Sequence, residues 1–207
     1  MLTNMKKEKS AIQDKRSYRM GSRAEAAEET RRRILDAVIG LHMERYYDQI
    51  SLDAVAERAG VTVQTVLRRF GSKDQLIEAA SEVARSRVTS QRGEAPVGDI
   101  AGAVENLVAH YEEWGESSLR LLAQEDRVPA FRKTTEAGRT LHYEWVERTF
   151  GPMLAEREGE ARGRLLAELV AVCDVYFWKI LRRDLGLGHE QTEHALTETI
   201  AALKGEE

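Results

Sequence analysis

Hydrophobic residues recur at intervals of three and four positions along most of this chain, and that spacing predicts amphipathic α-helices. Such stripes predict helices over about 25–43, 51–60, 62–70, 72–90, 99–115, 117–126, 129–150, 160–184 and 189–203. The chain has only three prolines, and it lacks the Asn-Gly and Asp-Gly dipeptides that mark β-hairpins. The pattern therefore predicts an all-α fold of about nine helices.

The stretch 51–60 carries the end signals of a short helix. Ser51 can accept a hydrogen bond from an unpaired amide of the first turn, and Leu52 and Val55 begin the apolar face. Gly60 is suited to end the helix, because glycine adopts left-handed backbone angles without a steric cost.

A second short helix is predicted directly after that turn. Thr62 can cap it, and Val66 and Phe70, four positions apart, can pack it against the first helix. The side chains left facing outward are Gln64, Thr65 and Arg68. Residues 51–70 are thus predicted to form a helix-turn-helix with a surface suited to contact a partner.

A third helix start follows at Ser72. Ser72 and Gln75 have the spacing of a capping box, which places Lys73 in the first turn. A lysine there opposes the helix dipole at a cost of roughly 0.3–1 kcal/mol when exposed. A negative group outside the protein could offset that cost.

The segment from Ala59 to Leu76, Ala-Gly-Val-Thr-Val-Gln-Thr-Val-Leu-Arg-Arg-Phe-Gly-Ser-Lys-Asp-Gln-Leu, resembles the DNA-binding signature of TetR-type transcriptional regulators. The continuation into Phe-Gly-Ser-Lys and a further helix makes this resemblance specific. It implies an amino-terminal three-helix DNA-binding domain and a carboxy-terminal helical bundle that binds a ligand and dimerises. It also implies that the second motif helix enters the major groove.

The resemblance assigns roles to individual residues. The side chains placed to approach base edges are Val63, Gln64 and Leu67. Those placed to hold the DNA backbone are Ser51, Thr62, Thr65, Arg69 and Lys73. Gln64 is chemically suited, since its amide can form two hydrogen bonds with adenine. The family commonly has tyrosine in place of Leu67 and histidine in place of Arg69, so Arg68 and Arg69 are expected to restore the positive charge.

The charge distribution agrees with a DNA partner at one end of the chain. Residues 1–80 contain 15 Lys and Arg against 12 Asp and Glu, whereas residues 81–207 contain 16 against 23. The formal net charge of −4 over 207 residues therefore conceals a basic first part and an acidic remainder. Such asymmetry is expected if only one end meets phosphates.

Three further features of the sequence indicate the cellular compartment of the protein. The single cysteine, Cys173, excludes a disulfide framework and a cysteine-based zinc finger, and it fits a reducing cytoplasm. The amino terminus is rich in Lys and Glu and lacks the apolar run of a signal peptide. Charged residues interrupt the most apolar run, 165–181, which disfavours a membrane span.

Three segments are predicted from these patterns. Residues 1–22 have little apolar periodicity and are interpreted as a flexible basic arm, which either contacts DNA or is a solubilising tail. Residues 23–91 are predicted to be the DNA-binding domain. Two glycines and a proline within 92–98 mark a boundary, and residues 92–207 are predicted to form the effector-binding and dimerisation bundle.

The bundle contains two sets of candidate functional residues. Side chains that combine apolar bulk with polar tips are typical of ligand pockets, although the alternative is plain core. The ligand candidates are His110, Tyr111, Trp114, Phe131, His142, Trp145, Cys173 and Phe177. The last two long helices carry more apolar surface than one bundle can use, which predicts a homodimer. The interface candidates are Tyr176, Lys179, Ile180, Leu196, Ile200 and Leu203.

The function predicted is that of a dimeric repressor that binds a pseudo-palindromic operator and is released by a small molecule. The alternatives are an activator, an effector-independent DNA binder, or a helical protein-interaction module. No enzyme, metal or cofactor motif is found, and His189 and His194 are five apart rather than at the spacing of a chelating pair. A strong salt dependence of duplex binding separates the DNA-binding functions from the protein-interaction module.

Overall fold

The computed structural model describes residues 24–205, so the basic arm expected over residues 1–22 lies outside the described residues. The all-α prediction is confirmed, since the described part of the chain contains helices and connecting turns without a strand. The α-helices are α1 (24–44), α2 (Leu52–Ala59), α3 (Val63–Phe70), α4 (Lys73–Gly93), α5 (Ile100–Leu122), α6 (Pro129–Thr149), α7 (Gly151–Leu154), α8 (Gly159–Val172), α9 (Val175–Lys179) and α10 (His189–Lys204). A 3-10 turn occupies Tyr47–Gln49 and a π-helical turn occupies Ile180–Asp184.

The described residues fall into two compact units. The first comprises residues 24–41 and 47–80, and the second comprises residues 42–46 and 81–205. Helix α4 is continuous from Lys73 to Gly93 and therefore belongs to both units, and the first two residues of the predicted break over 92–98 lie at its end. The domain bounds 23–91 and 92–207 stay a prediction.

The first unit buries one apolar face from each of its helices. Ile34, Leu35 and Val38 of α1 are almost completely buried, as the stripe in the sequence predicts. Helix α2 packs against α3, with Val55 and Val66 both 1% exposed. This burial fixes which faces of the two motif helices remain outside.

The second unit has a larger core formed chiefly by α5, α6, α8, α9 and α10. Trp145, Leu169 and Trp178 are among its most buried side chains. No helix of the described residues is long and apolar enough to cross a membrane.

Helix α5 differs from the prediction of two helices over 99–115 and 117–126. It runs without a break from Ile100 to Leu122, and Gly115 lies inside it. A Cβ atom at Gly115 would come within 2.6 Å of the Trp178 ring. The glycine is therefore required by close packing and does not end the helix.

The single long helix predicted over 160–184 is also wrong. Helix α8 ends at Val172, and Asp174 begins a new helix by accepting a hydrogen bond from the Tyr176 N–H at 2.9 Å. Short polar side chains such as Asp compete with helical hydrogen bonding and favour caps. Helix α6 ends at Thr149, as the prediction of 129–150 expects, and the short helix α7 then begins at Gly151 with Pro152 in its first turn.

Candidate nucleic-acid interface

The turn between α2 and α3 has the geometry expected of a helix-turn-helix. Ser51 caps α2 by accepting a hydrogen bond from the Ala54 N–H at 3.1 Å. Gly60 has φ 64° and ψ 41°, in the left-handed region that favours glycine. The Val61 N–H reaches back to the Ala56 carbonyl at 2.9 Å, which closes the turn.

Helix α3 is fixed at its start and along its inner face. Thr62 accepts a hydrogen bond from the Thr65 N–H at 3.2 Å, and the two hydroxyl groups lie 3.0 Å apart. Val66 is buried, which leaves the opposite face of the helix outside. Because both the cap and the buried anchor hold the helix, its outer side chains are presented on a rigid element.

The candidate base-reading residues differ in exposure. Gln64 and Arg68 are exposed, and Leu67 is 39% exposed, so these three form the outer surface of α3. Val63, Thr65 and Arg69 are half-buried. Helix α3 contains no acidic residue, so this surface is positive.

The two arginines of α3 are available to different degrees. Arg68 is exposed and forms no ion pair or hydrogen bond within the described residues. The Nε atom of Arg69 is buried and lacks a hydrogen-bond partner in the part of the chain that the structure describes. Arg68 is therefore the more accessible cation for a phosphate.

Lys73, at the start of α4, has an intramolecular partner that the sequence did not indicate. Its Nζ donates a hydrogen bond to the Tyr47 carbonyl at 3.1 Å and lies 3.9 Å from the centre of the Tyr47 ring. The Tyr47 hydroxyl donates to an Asp74 carboxylate oxygen at 2.9 Å. The cost of a lysine at this helix end is thus offset within the protein, without any external negative group.

This cluster also changes the protonation properties of its members. Partial burial lowers the pKa of Lys73, while the nearby carboxylates of Asp74 and Asp48 oppose that shift. Burial raises the pKa of Tyr47, and its hydrogen bond to Asp74 raises it further. Sequence reasoning missed Tyr47 because it lies 26 positions from Lys73 in a loop without a motif.

Known DNA-binding proteins resemble this helix-turn-helix segment in sequence. Residues 34–80 match the family described as bacterial regulatory proteins of the tetR family. Residues 34–80 therefore form a DNA-binding domain of the TetR type. The repressor KstR of Rhodococcus jostii is 42% identical over 73 residues, which is 35% of this chain and 34% of that protein. KstR of Mycobacterium tuberculosis is 38% identical over 68 residues, or 33% and 31% of the two chains. The matched segment thus spans about a third of these relatives.

Solved structures extend the similarity in fold to the rest of the chain. A TetR-family regulator from Streptomyces coelicolor superimposes with a TM-score of 0.63 at 20% identity, covering 85% of this chain and 80% of that one. A Saccharomonospora viridis protein solved in complex with choline gives a TM-score of 0.61 at 18% identity, covering 84% and 96%. The TetR-type arrangement of a helix-turn-helix domain followed by a helical bundle is therefore shared.

The ligand candidates of the helical bundle are mostly core residues. Five of them lie close together. Tyr111 donates a hydrogen bond to the Cys173 carbonyl at 2.9 Å, His110 packs beside Tyr111, and His142 stacks near Trp145. Phe131 packs instead against His42, and neither Trp114 nor Phe177 makes a ring contact with the five among the described residues.

Burial also removes one possible chemistry from this group. The pKa of the Cys173 thiol is raised to about 12 by burial, so the sulfur stays protonated near neutral pH. No group of three or more His, Cys, Asp and Glu within residues 24–205 is close enough to hold a metal ion.

The interface candidates divide by exposure. Tyr176 is 52% exposed and Ile180 is 49% exposed, while Lys179 and Leu203 are half-buried. Leu196 and Ile200 are at most 1% exposed, because they pack into the core of their own chain. These two hold α10 on the bundle and have no surface to offer a second copy, which corrects their assignment.

Proposed function

We propose that this TetR-family chain is a DNA-binding transcriptional repressor that acts as a homodimer and is released by a small-molecule effector. The outer surface of α3 carries the proposal, since Gln64 and Arg68 project from a helix whose opposite face is buried. Curated relatives that share this segment are named transcriptional repressors, which supports the same direction of control.

The contacts proposed with DNA follow from residue chemistry. Gln64 can read adenine in the major groove, and the Leu67 side chain can contact a thymine methyl group. Arg68 and Lys73 supply positive charge for phosphates, with Lys73 already oriented by Tyr47. The half-buried Val63, Thr65 and Arg69, together with the capping residues Ser51 and Thr62, position this surface.

The dimer is proposed to form through the exposed apolar residues near the carboxy terminus. Tyr176 and Ile180 lie one helical turn apart and are both about half exposed. A pair of such surfaces related by a two-fold axis would bury them. We expect Ile180→Asp to convert the dimer into a monomer in analytical ultracentrifugation and to weaken operator binding. A dimer that is unchanged by this substitution would place the interface elsewhere.

The DNA contacts are tested by selecting duplexes from a random pool and measuring binding of three variants. We expect Arg68→Gln to weaken all duplexes alike and to reduce the slope of log K against log salt by about 1 per lost phosphate contact. Gln64→Ala should instead reduce discrimination at one base pair, by about 1–3 kcal/mol. Arg164→Gln, which alters an exposed arginine of the bundle, is the control.

The outcomes separate the candidate functions. Identical sequence profiles for Arg68→Gln and Gln64→Ala would contradict the assigned roles. Binding that barely depends on salt would favour a protein-interaction module over a DNA-binding regulator. A reporter gene placed behind a selected operator distinguishes repression from activation.

A further inference from the structure

Arg92, in the last turn of α4, is a buried cation without an anionic partner in the part of the chain that the structure describes. Its side chain is 3% exposed, and a guanidinium does not lose its proton in proteins. The ion pairs of residues 24–205 do not include it. A buried charge is normally paired, so this arrangement requires an explanation.

The groups that contact Arg92 are neutral. One terminal nitrogen lies 3.2 Å from His142 Nδ1, and the guanidinium carbon lies 4.0 Å from the centre of the Trp145 ring and 5.9 Å from that of Tyr111. The Tyr111 hydroxyl also forms a side-chain hydrogen bond with Arg92. The Nε atom is buried and has no hydrogen-bond partner among the described residues. The aromatic rings stabilise the cation in part, but a donor remains unused.

Neither nearby histidine can balance the charge of Arg92, because an imidazole is neutral or positive. His142 Nδ1 accepts from Arg92, so the proton lies on Nε2, which donates to the Val170 carbonyl at 3.0 Å. The pKa of His142 is lowered by burial and by Arg92. His110 is 6% exposed with Nδ1 unpartnered, and its pKa is lowered by burial and by Arg92.

A second arginine of the same bundle, Arg182, has a carboxylate partner. Arg182 is less buried than Arg92, and yet it forms two hydrogen bonds with Glu112, at 2.7 and 3.1 Å. The carboxylate of Asp174, which acts on His142, caps a helix and forms no ion pair with Arg92 among the described residues. Arg92 therefore has the donors for an anion that the described part of the chain does not provide.

The backbone around Arg92 is held firmly. Its carbonyl accepts hydrogen bonds from Trp145 Nε1 at 2.9 Å and from Arg148 at 3.0 Å, which anchors the end of α4 to α6. The same helix begins at Lys73, shortly after α3. A ligand that binds Arg92 would thus act on the helix that follows the DNA-contacting segment.

We propose that Arg92 binds the acid group of a small-molecule monocarboxylate. The unused donors are Arg92 Nε and, when its Nδ1 carries the proton, His110. One guanidinium matches one carboxylate in charge and planar shape, and the rings of Trp145 and Tyr111 would pack against an apolar body. This inference rests on the proposed effector-controlled regulator and gives the chemical class of its effector.

The test uses the full-length protein without DNA. Thermal unfolding is followed by tryptophan fluorescence with acetate, hexanoate, decanoate or benzoate, with the matching amide of each, and with sodium chloride at equal ionic strength. We expect at least one carboxylate to raise the unfolding temperature in a saturable way, while its amide does not. Titration calorimetry of that carboxylate then gives its affinity.

Three variants localise the site. Arg92→Met should weaken carboxylate binding by at least about tenfold, the size expected for loss of one charge-assisted contact. Arg92→Lys keeps the charge without the planar fork and should bind with intermediate affinity. Arg164→Gln, on the exposed surface of α8, should bind as the unaltered protein does.

Several results would overturn the proposal. These are equal binding of acid and amide, an equal shift with chloride, full affinity in Arg92→Met, or no binding by any of the four acids. Should Arg92→Met fail to fold, the comparison of Arg92→Lys with the unaltered protein decides the case. Duplex binding by the ligand-free protein is measured separately, so failure of the carboxylate site and failure of the regulator proposal are distinguishable.

Discussion

Two arginines of this chain lie in opposite surroundings. Arg68 on α3 is exposed and Arg92 at the end of α4 is 3% exposed, and neither pairs with a carboxylate of residues 24–205. In water an unpaired arginine costs little, because solvent and salt screen its charge. In the interior the same group is costly unless other groups compensate it.

The partner that an unpaired arginine can bind depends on how deeply its side chain is buried. The charge of Arg68 is suited to a large polyanion that approaches from solution. The charge of Arg92 is suited only to a small anion that reaches the bundle interior, or to compensation by the rings of Trp145 and Tyr111. The same side chain is therefore suited to different partners in the two regions.

The largest expected change in the free energy of unfolding comes from a substitution in the interior, compared with one on the exposed surface. Trp178 is 1% exposed and Leu67 is 39% exposed. Trp178→Ala should lower the free energy of unfolding by about 3–5 kcal/mol, because it leaves a cavity beside Gly115. Leu67→Ala should change it by less than about 0.5 kcal/mol. Urea denaturation followed by far-UV circular dichroism checks both, and similar losses would contradict the division into core and contact surface.

The next effect tests whether Arg92 is costly to the ligand-free protein. Arg92→Met should raise the free energy of unfolding by about 1–2 kcal/mol, since it removes a buried charge and keeps an apolar stem. The gain is limited because His142 Nδ1 loses its donor. Arg68→Met is the exposed control, with an expected change below about 0.5 kcal/mol. A loss of stability in Arg92→Met would mean that the arginine is a structural anchor.

Local signals account for the parts of the site that were predicted from sequence. The caps at Ser51 and Thr62 and the left-handed turn at Gly60 depend on residues within a few positions of each other. Their hydrogen bonds form whenever the two helices form. The exposure of Gln64 and Arg68 follows from the same periodicity.

The parts that were not predicted depend on distant residues. The prediction of separate helices over 99–115 and 117–126 is wrong because the packing partner of Gly115, Trp178, lies on another helix far along the chain. Arg92 was assigned to a boundary region on account of the nearby glycines and proline, and its burial is visible only once α6 covers it. The Tyr47–Lys73 contact likewise joins a loop to a helix start. Such contacts leave no periodic pattern in the sequence.

Acid should weaken the folded bundle through its buried histidines. The pKa of His110 is held well below 6.5 by burial first, then by the charges of Arg92 and His142. As the pH falls below 6.5, the unfolded chain takes up a proton at this residue and the folded chain does not. The free energy of unfolding therefore decreases, by about 1 kcal/mol between pH 7 and pH 5.5 for one such histidine.

The measurement is urea denaturation at several pH values above the range in which carboxylates titrate. His110→Gln should flatten this part of the pH dependence, and His194→Gln, which alters an exposed histidine, should not. An unchanged slope in His110→Gln would mean that another group carries the effect, with His142 the first candidate because its pKa is also lowered by burial.

The last prediction concerns the exposed region and tests whether the start of α3 depends on the Thr62 cap. Thr62→Ala removes the acceptor for the Thr65 N–H and should lower the free energy of unfolding by about 1 kcal/mol. Thr62→Ser keeps the hydroxyl oxygen and should restore most of that loss, because serine caps helices at least as well as threonine. Hydrogen exchange at the first amides of α3 should quicken in the alanine variant alone. Equal exchange in the two variants would show that Val66 and the Gly60 turn hold the helix start without the cap, and the positions of Gln64 and Arg68 would then depend on packing alone.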